Sequence, residues 1–384
     1  MLNRTQLLNK NNSFFLFGAR GTGKTTLLEK LYSGDETLWI DLLSDSDENL
    51  YSRNPDELSN ILETKKFKRV VIDEVQKVPK ILDIVHREIE KRKDLQFILT
   101  GSSARKLKRG SADLLAGRAF TYHLFPLTSM ELGDAFNLKD VLELGSLPKL
   151  LEYSEREDKN EFLRSYVKTY LREEIQIEQL VRNLNPFRNF LEVAAQGNGK
   201  IVNYTKIAKD IGVDNKTVYS YFSILEDTLI GFFLPSFHRS IRKQQHEAPK
   251  FYLFDPGITR ALAGTLRVEL LPQTYAFGDA FEHWVILECH RANEYKKLDY
   301  KMSYLRSKSG TEIDIVVERP GNTELLVEIK SAERITKDHA SKVRRFINDW
   351  DRPCQGQIWS LDKNAKIIDE VECIYWRDGI DRWK

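Results

Sequence analysis

The amino-acid sequence predicts an α/β protein of three domains, and three observations support this prediction. Its 384 residues are a length typical of two or three domains. The first third alternates short apolar runs with helical patterns, the middle is helical, and the last third mixes helices with β-runs. We therefore predict domains over residues 1–135, 136–245 and 246–384.

Four apolar runs in the first domain are predicted to be strands of one parallel sheet. They are SFFLFGA, TLWIDLL, KRVVIDEV and LQFILTGSS. Their nearly continuous apolar character is typical of parallel strands that are buried on both faces. The segments between them suit crossover helices, so an α/β domain with a parallel sheet is expected here.

A glycine-rich turn follows the first predicted strand and fits the phosphate-binding pattern G-x-x-x-x-G-K-[ST] in full. The residues predicted to bind ATP are Gly18, Ala19, Arg20, Gly21, Thr22, Gly23, Lys24, Thr25 and Thr26. The strand before the motif and the helix start after it argue against a chance glycine-rich turn. Lys24 is expected to reach the β- and γ-phosphates, and the Thr25 hydroxyl is expected to ligate Mg²⁺.

Two acidic residues end the third predicted strand, in the run RVVIDEVQKVP. Asp73 can reach the Mg²⁺ shell from the end of this strand, and Glu74 is a candidate base that orients the attacking water. An ordinary helix cap is the alternative, but the phosphate loop upstream favours the catalytic interpretation. The two acids therefore predict hydrolysis of ATP rather than transfer to an organic acceptor.

Two further residues complete the predicted nucleotide site. Ser102, after the fourth strand, could sense the γ-phosphate and position water. Arg118 follows a glycine in LLAGRAF and could stabilise transition-state charge in a neighbouring subunit's site. A surface salt bridge explains Arg118 equally well from the sequence alone.

The middle domain contains a helix-turn-helix pattern followed by a basic hairpin, which together predict a winged helix. The basic hairpin residues, which suit phosphate contact, are His238, Arg239, Arg242, Lys243 and Lys250. We predict nucleic-acid contacts at Lys216, Tyr219, Arg239, Arg242 and Lys243. A structural or protein-binding winged helix is the alternative, because the second helix is not strongly basic. The net charge of +2 does not by itself indicate nucleic-acid binding.

Two β-runs of the last domain carry acids and a base at matching positions. The runs TEIDIVVE and ELLVEIK are joined by the turn signal RPGN, so we predict a hairpin. Pairing would set Asp314 opposite Glu328, with Lys330 on the same face. Two carboxylates can hold Mg²⁺ or Mn²⁺, and a lysine can position water. Glu282, on an otherwise apolar helix, could complete the site. Solvated strand faces are the alternative.

Four landmarks make the chain resemble a known family: GARGTGKT, VVIDEVQKVP, LTGSSARKL with LLAGRAFTYHLFPLT, and FDPGITRAL with GTEIDIVVE and LLVEIKS. It resembles the prokaryotic ATPases of the AAA superfamily whose C-terminal domain is similar to PD-(D/E)xK nucleases. The resemblance implies a restriction-endonuclease-like α/β fold for the last domain, with Asp314, Glu328 and Lys330 as its core and Glu282 as its helical acid. The Pro-Asp dipeptide of the motif is missing, because Glu-Ile precedes Asp314.

The same resemblance implies that Arg118 acts across a subunit boundary, so a homo-oligomer is expected. ATP turnover would then gate metal-dependent cleavage of DNA by the last domain. The alternative is a nucleotide switch whose last domain only binds nucleic acid or a protein partner. The polar start, three scattered cysteines and lack of a long apolar run predict a cytoplasmic protein without a membrane partner.

Overall fold

The computed structural model describes residues 3–102, 115, 117–170, 184–238, 247–307 and 309–383. The chain divides into two compact units. The first contains Met1–Leu127, Leu147–Lys149 and Ile224–Ile230, and the second contains the rest. The division into three domains stays a prediction. No helix within the described ranges combines the length and the apolar character needed to span a bilayer.

A five-stranded parallel sheet forms the centre of the first unit. Its strands are β1 (Phe14–Phe17), β2 (Thr37–Asp41), β3 (Arg69–Asp73), β4 (Gln96–Gly101) and β5 (Phe120–His123). They lie in the order β2-β3-β4-β1-β5, and every pair is parallel. The predicted parallel α/β domain is therefore confirmed, although β5 was not among the four predicted strands.

Helices cover both faces of this sheet. They are α1 (Lys24–Tyr32), α2 (Asp45–Arg53), α3 (Glu57–Thr64) and α4 (Ile81–Lys91). Alternate residues of β1 belong to different core clusters: Phe15 and Phe17 to one, Phe14 and Leu16 to the other. Successive strand residues point to opposite faces, which explains the continuous apolar runs. The chain order reverses beside β1, and ligands of open α/β sheets bind at the strand ends at such a point.

Further along the chain, the described residues form helices α5 (Ser129–Leu132), α6 (Leu138–Leu144), α7 (Arg156–Ser165), α8 (Leu184–Gln196), α9 (Tyr204–Ile211) and α10 (Asn215–Asp227). Gly212, with φ 71°, ends α9 in the left-handed region that favours glycine. Asp214 then accepts a 2.6 Å hydrogen bond from the Thr217 amide, as an N-cap residue does. The helix-turn-helix pattern of the sequence is therefore present.

A two-stranded antiparallel sheet follows α10. It pairs β6 (Gly231–Leu234) with β7 (Lys250–Leu253), as expected of the two flanks of the hairpin. The predicted contact residues Arg239, Arg242 and Lys243 lie outside the described residues.

The rest of the second unit is a six-stranded mixed sheet with helices α11 (Pro256–Leu262), α12 (Tyr275–Lys296), α13 (Lys337–Asn348) and α14 (Trp376–Asp381). Its strands are β8 (Lys301–Arg306), β9 (Glu312–Glu318), β10 (Glu324–Lys330), β11 (Cys354–Ser360), β12 (Lys366–Ile368) and β13 (Val371–Tyr375). Their order is β12-β13-β11-β10-β9-β8.

The register of this sheet places the acids of the last domain. Strands β9 and β10 are antiparallel, with Val327 opposite Ile315, so the next pair outward is Glu328 and Asp314. Strands β10 and β11 are parallel and are connected through α13, a βαβ crossover. The carboxyl end of β10 therefore leads into the crossover segment that carries α13.

Candidate functional site

The phosphate loop connects β1 to α1 with a backbone that glycine alone suits. Gly21 and Gly23 have φ values of 77° and 90°, in the region that side chains disfavour. A Cβ atom at Gly18 would lie 2.3 Å from the carbonyl oxygen of Leu124. Gly23 immediately precedes α1 and has no side chain to cap it, so the free amides of its first turn suit a phosphate.

The residues expected to reach phosphate and Mg²⁺ lie around this loop. Lys24 is buried and donates a 2.7 Å hydrogen bond to the carbonyl oxygen of Gly18. Thr25 Oγ1 donates to Asp73 Oδ2 at 2.6 Å, so the hydroxyl and the carboxylate predicted for the Mg²⁺ shell are adjacent. These oxygens are the donors that Mg²⁺ prefers, and the pair fits this ion.

A polar network links the ends of β3 and β4. Glu74 lies in the left-handed region, with φ 56° and ψ 48°, and its amide donates to Thr100 Oγ1 at 3.1 Å. Gln76 Nε2 donates both to the Glu74 carboxylate and to Ser102 Oγ, the latter at 3.2 Å. Gln76 thus joins the proposed base to the proposed sensor. Sequence analysis missed it, although it lies in the quoted run RVVIDEVQKVP.

Arg118 forms a surface ion pair with Glu90 of α4. Hydrogen bonds from Arg118 and then Lys93 lower the pKa of the Glu90 carboxyl to about 2. The salt bridge that the sequence allowed is therefore present. A role of Arg118 in a neighbouring subunit stays a prediction.

A cleft of about 870 Å³ brings together the acids and the lysine predicted in the last domain. Glu282, Asp314, Glu328 and Lys330 all line it. They come from α12, β9 and β10, which explains why residues separated by 48 positions can share one site. Lys342 of α13 also lines the cleft, and sequence analysis did not single it out.

Glu328 is the most buried carboxylate of this cluster, with an exposed fraction of 0%. Its Oε1 accepts from Lys330 Nζ at 2.5 Å and from Lys342 Nζ at 2.6 Å. Its Oε2 is buried and has no hydrogen-bond partner among the described residues. Leaving a carboxylate oxygen buried without a partner is unfavourable, so this atom is suited to a further cation.

Asp314 lies beside Glu328 in an environment that disfavours its charge. Its Oδ2 accepts a 2.7 Å hydrogen bond from the Ile329 amide. Burial and then the charge of Glu328 raise the pKa of the Asp314 carboxyl to about 6. The two neighbouring carboxylates repel each other when both are ionised. A divalent cation bound to both would stabilise their ionised forms.

Glu282 has partners beneath the same cleft. Its Oε1 accepts a 2.8 Å hydrogen bond from the Tyr252 hydroxyl. Lys250 Nζ lies 3.5 Å from Glu282 and 3.3 Å from Glu312. Burial disfavours the charged lysine, but Glu282, Asp314 and Glu312 outweigh this effect and raise the pKa of Lys250.

Lys250 therefore differs from the expectation that it belongs to a basic surface. Its exposed fraction is 4%, because every residue of β7 is buried. The lysine neutralises acids of the cleft instead of facing solvent.

The cleft offers a metal two carboxylates rather than a full set of protein ligands. No group of three or more His, Cys, Asp and Glu residues suited to a metal occurs in the described parts of the chain. Mg²⁺ is commonly held by one or two carboxylates together with waters and substrate phosphate. The Asp314 and Glu328 pair, with its unpartnered Oε2, fits this mode of binding.

Of the predicted nucleic-acid contacts, Lys216 and Tyr219 are exposed on α10. The ring of Tyr219 stacks on Tyr204 with 3.7 Å between ring centroids. The pair joins the exposed Tyr219 ring of the second helix to a half-buried ring of α9, which is compatible with nucleic acid and equally with a protein partner.

Three family descriptions match successive parts of the chain. Residues 10–133 match "AAA domain". Residues 135–269 and 277–378 match "Domain of unknown function", DUF8612 and DUF4143 respectively. With the parallel sheet and the phosphate loop, the first match identifies residues 10–133 as a P-loop ATPase domain of the AAA kind. The other two assign no activity.

Curated relatives are distant and carry no functional name. The chain is 24% identical over 254 residues to the uncharacterized protein Rv2008c of Mycobacterium tuberculosis and to its counterpart Mb2031c of Mycobacterium bovis. These matches cover 66% of this chain and 56% of each relative, so the chain spans little more than half the length of either. The uncharacterized protein MJ1637 of Methanocaldococcus jannaschii is 22% identical to this chain, and the match covers 88% of this chain and 79% of that protein.

Proposed function

We propose that this AAA-type ATPase uses ATP turnover to control metal-dependent cleavage of DNA by a nuclease-like domain at residues 246–384. The observation that carries the proposal is the meeting of Asp314, Glu328 and Lys330 in one cleft, with a buried carboxylate oxygen left without a partner in the described structure. The mixed sheet around these residues is compatible with a restriction-endonuclease-like fold.

At the nucleotide site, each predicted residue has a role that its position supports. Lys24 and the amides of the phosphate loop would bind the β- and γ-phosphates, and Glu74 would accept a proton from the attacking water. Ser102, joined to Glu74 through Gln76, would report the γ-phosphate. Mg²⁺ beside Thr25 and Asp73 would neutralise charge on the phosphates.

At the cleft, Asp314 and Glu328 would hold Mg²⁺ or Mn²⁺, which supplies positive charge next to a phosphate oxygen. Lys330 would orient the attacking water and stabilise the charge that develops on the phosphate. Glu282 would order water around the ion. Water adds to phosphorus, the bond to the departing sugar oxygen breaks, and the products are a phosphomonoester and an alcohol.

The proposed partners of the chain are DNA and further copies of the same chain. Lys216, Tyr219, Arg239, Arg242 and Lys243 of a winged helix would contact DNA phosphates. Arg118 would act in a neighbouring subunit, and AAA ATPases often form oligomers, which supports a homo-oligomer.

A second function, a nucleotide switch with a purely binding last domain, is favoured by a different observation. Lys330 and Lys342 already neutralise Glu328, and no third acid, histidine or cysteine joins a metal group in the described ranges. Such a cleft could bind a phosphate-bearing or protein ligand without cleaving it.

A DNA degradation assay with Mg²⁺ or Mn²⁺, with and without ATP, separates these two functions. The proposal expects products that require the metal, disappear in Asp314→Ala and respond to ATP. Absence of cleavage under every combination, together with retained DNA binding, would establish the switch instead.

A further inference from the structure

The cleft of the last domain has an exposed aromatic side chain at its mouth. Tyr275 lines the cleft together with Asp314 and Glu328. Its exposed fraction is 95%, the highest of the large hydrophobic residues in the described structure. The flat ring is therefore open to solvent beside a cleft that also contains acidic and basic side chains.

Tyr275 shares one face of α12 with the acid of the cleft. Positions 275, 278, 279 and 282 follow the spacing of three, four and seven residues that aligns side chains on a helix, and all four line the cleft. Seven residues of helix span about 10 Å. Tyr275 and Glu282 therefore mark the two ends of one helix face of the cleft.

The backbone that carries Tyr275 is fixed although its ring is exposed. Thr274 Oγ1 accepts from the Phe277 amide at 3.3 Å and donates to the Leu271 carbonyl at 2.7 Å. Phe277 is buried. An aromatic ring held on a rigid element loses little conformational freedom when a ligand stacks on it.

The carboxylates of the cleft and the exposed ring of Tyr275 together indicate one class of ligand. Carboxylates with a divalent ion suit a phosphodiester, and an exposed aromatic ring suits the flat face of a nucleobase, because stacking accepts every base. Inside a duplex, neighbouring bases cover those faces. Only an unpaired base that leaves the stack can lie on a tyrosine ring.

We propose that the cleft binds a single-stranded segment of nucleic acid, with one unstacked base lying on Tyr275 while a phosphate of the same strand lies at Asp314 and Glu328. The proposal rests on the proposed function and narrows its substrate to strands with unpaired bases at the site of attack.

The test compares binding of short oligothymidylates in which one nucleotide at a time is abasic. Fluorescence anisotropy is measured with the full chain in Ca²⁺. For the wild type, one abasic position is expected to weaken binding by roughly 5- to 100-fold, the usual contribution of one base stacked on an aromatic ring. Tyr275→Ala should weaken binding of the intact strand similarly and abolish the penalty of the abasic position, because both changes remove the same contact.

Two control variants separate stacking from general damage. Tyr275→Phe keeps the ring and should retain both affinity and the abasic penalty. Val268→Ala changes another exposed apolar side chain, in the connection that precedes α12, and should match the wild type. An abasic penalty that persists in Tyr275→Ala would overturn the stacking proposal alone. A wild-type chain that binds neither these oligothymidylates nor duplex DNA would overturn DNA as the substrate as well.

Discussion

Substitution of Glu74 should separate ATP binding from ATP hydrolysis. Glu74→Gln should bind ATP normally but hydrolyse it roughly 10²- to 10⁴-fold more slowly, because an amide cannot accept the proton of water. Lys24→Ala should lose phosphate contact and turnover. Phosphate release and nucleotide affinity, measured side by side, check this expectation. Normal turnover in Glu74→Gln would assign the base to another residue.

Asp314 should make the stability of the metal-free protein depend on pH. Its folded pKa of about 6 exceeds the unfolded value of about 3.9, so the folded state binds more protons between these values. Stability should therefore fall as pH rises through this window and remain lower above it, by on the order of 3 kcal/mol.

Asp314→Asn removes this titration and should melt at a temperature at least as high as the wild type at about pH 8, with the advantage shrinking at about pH 4. Thermal unfolding in EDTA gives the measurement. Asp279→Asn, in the same cleft but exposed and paired with Lys200, is the control. An Asp314→Asn variant that is less stable at the higher pH would contradict the raised pKa.

At the scale of elements, Lys250 connects β7 to the acids of α12 and β9. Lys250→Met would leave Glu282 and Glu312 without their buried cation, and removing one partner of a buried ion pair typically costs about 3–5 kcal/mol. A large drop in the urea midpoint of unfolding is expected.

The matched control is Lys200→Met, whose pair with Asp279 is exposed and should contribute less than about 1 kcal/mol. Equal effects of the two substitutions on the midpoint would show that Lys250 stabilises no more than a surface lysine does.

The elements with strong patterns were predictable from the sequence. Strands β1 to β4 of the parallel sheet have apolar runs, the β9–β10 hairpin also has a clear turn signal, and both are present. Strand β5 was missed because it is a four-residue edge strand with Phe120 and Thr121 exposed, so its run lacks the apolar continuity of a central strand.

Residues whose partners lie on elements distant in the sequence were not predictable. Lys342 reaches Glu328 only because α13 crosses from β10 to β11, and nothing in its local sequence distinguishes it from a surface lysine. Lys250 was expected on a basic surface because its neighbours are basic, whereas the burial of β7 decides its environment. Spacing predicts which side chains share a face but does not tell what packs against that face.

For the molecule as a whole, the proposed role of Arg118 makes ATP hydrolysis depend on contact between subunits. If Arg118 acts in trans, Arg118→Ala should reduce hydrolysis by roughly 10³-fold or more while preserving ATP affinity. Mixing this variant with Lys24→Ala should partly restore turnover, because each variant supplies the half-site that the other lacks. Stable mixed oligomers that stay inactive would argue that Arg118 only pairs with Glu90.

The central claim is that the carboxylate pair of the last domain binds the divalent ion needed for cleavage. Calorimetric titration of Mn²⁺ into nucleotide-free protein tests it most directly, with Asp279→Ala as the control for an acid of the same cleft. One Mn²⁺ site is expected in the wild type and in Asp279→Ala, and this site should be lost in Asp314→Ala. A site that persists in Asp314→Ala, or a wild type that binds no Mn²⁺, would contradict the claim.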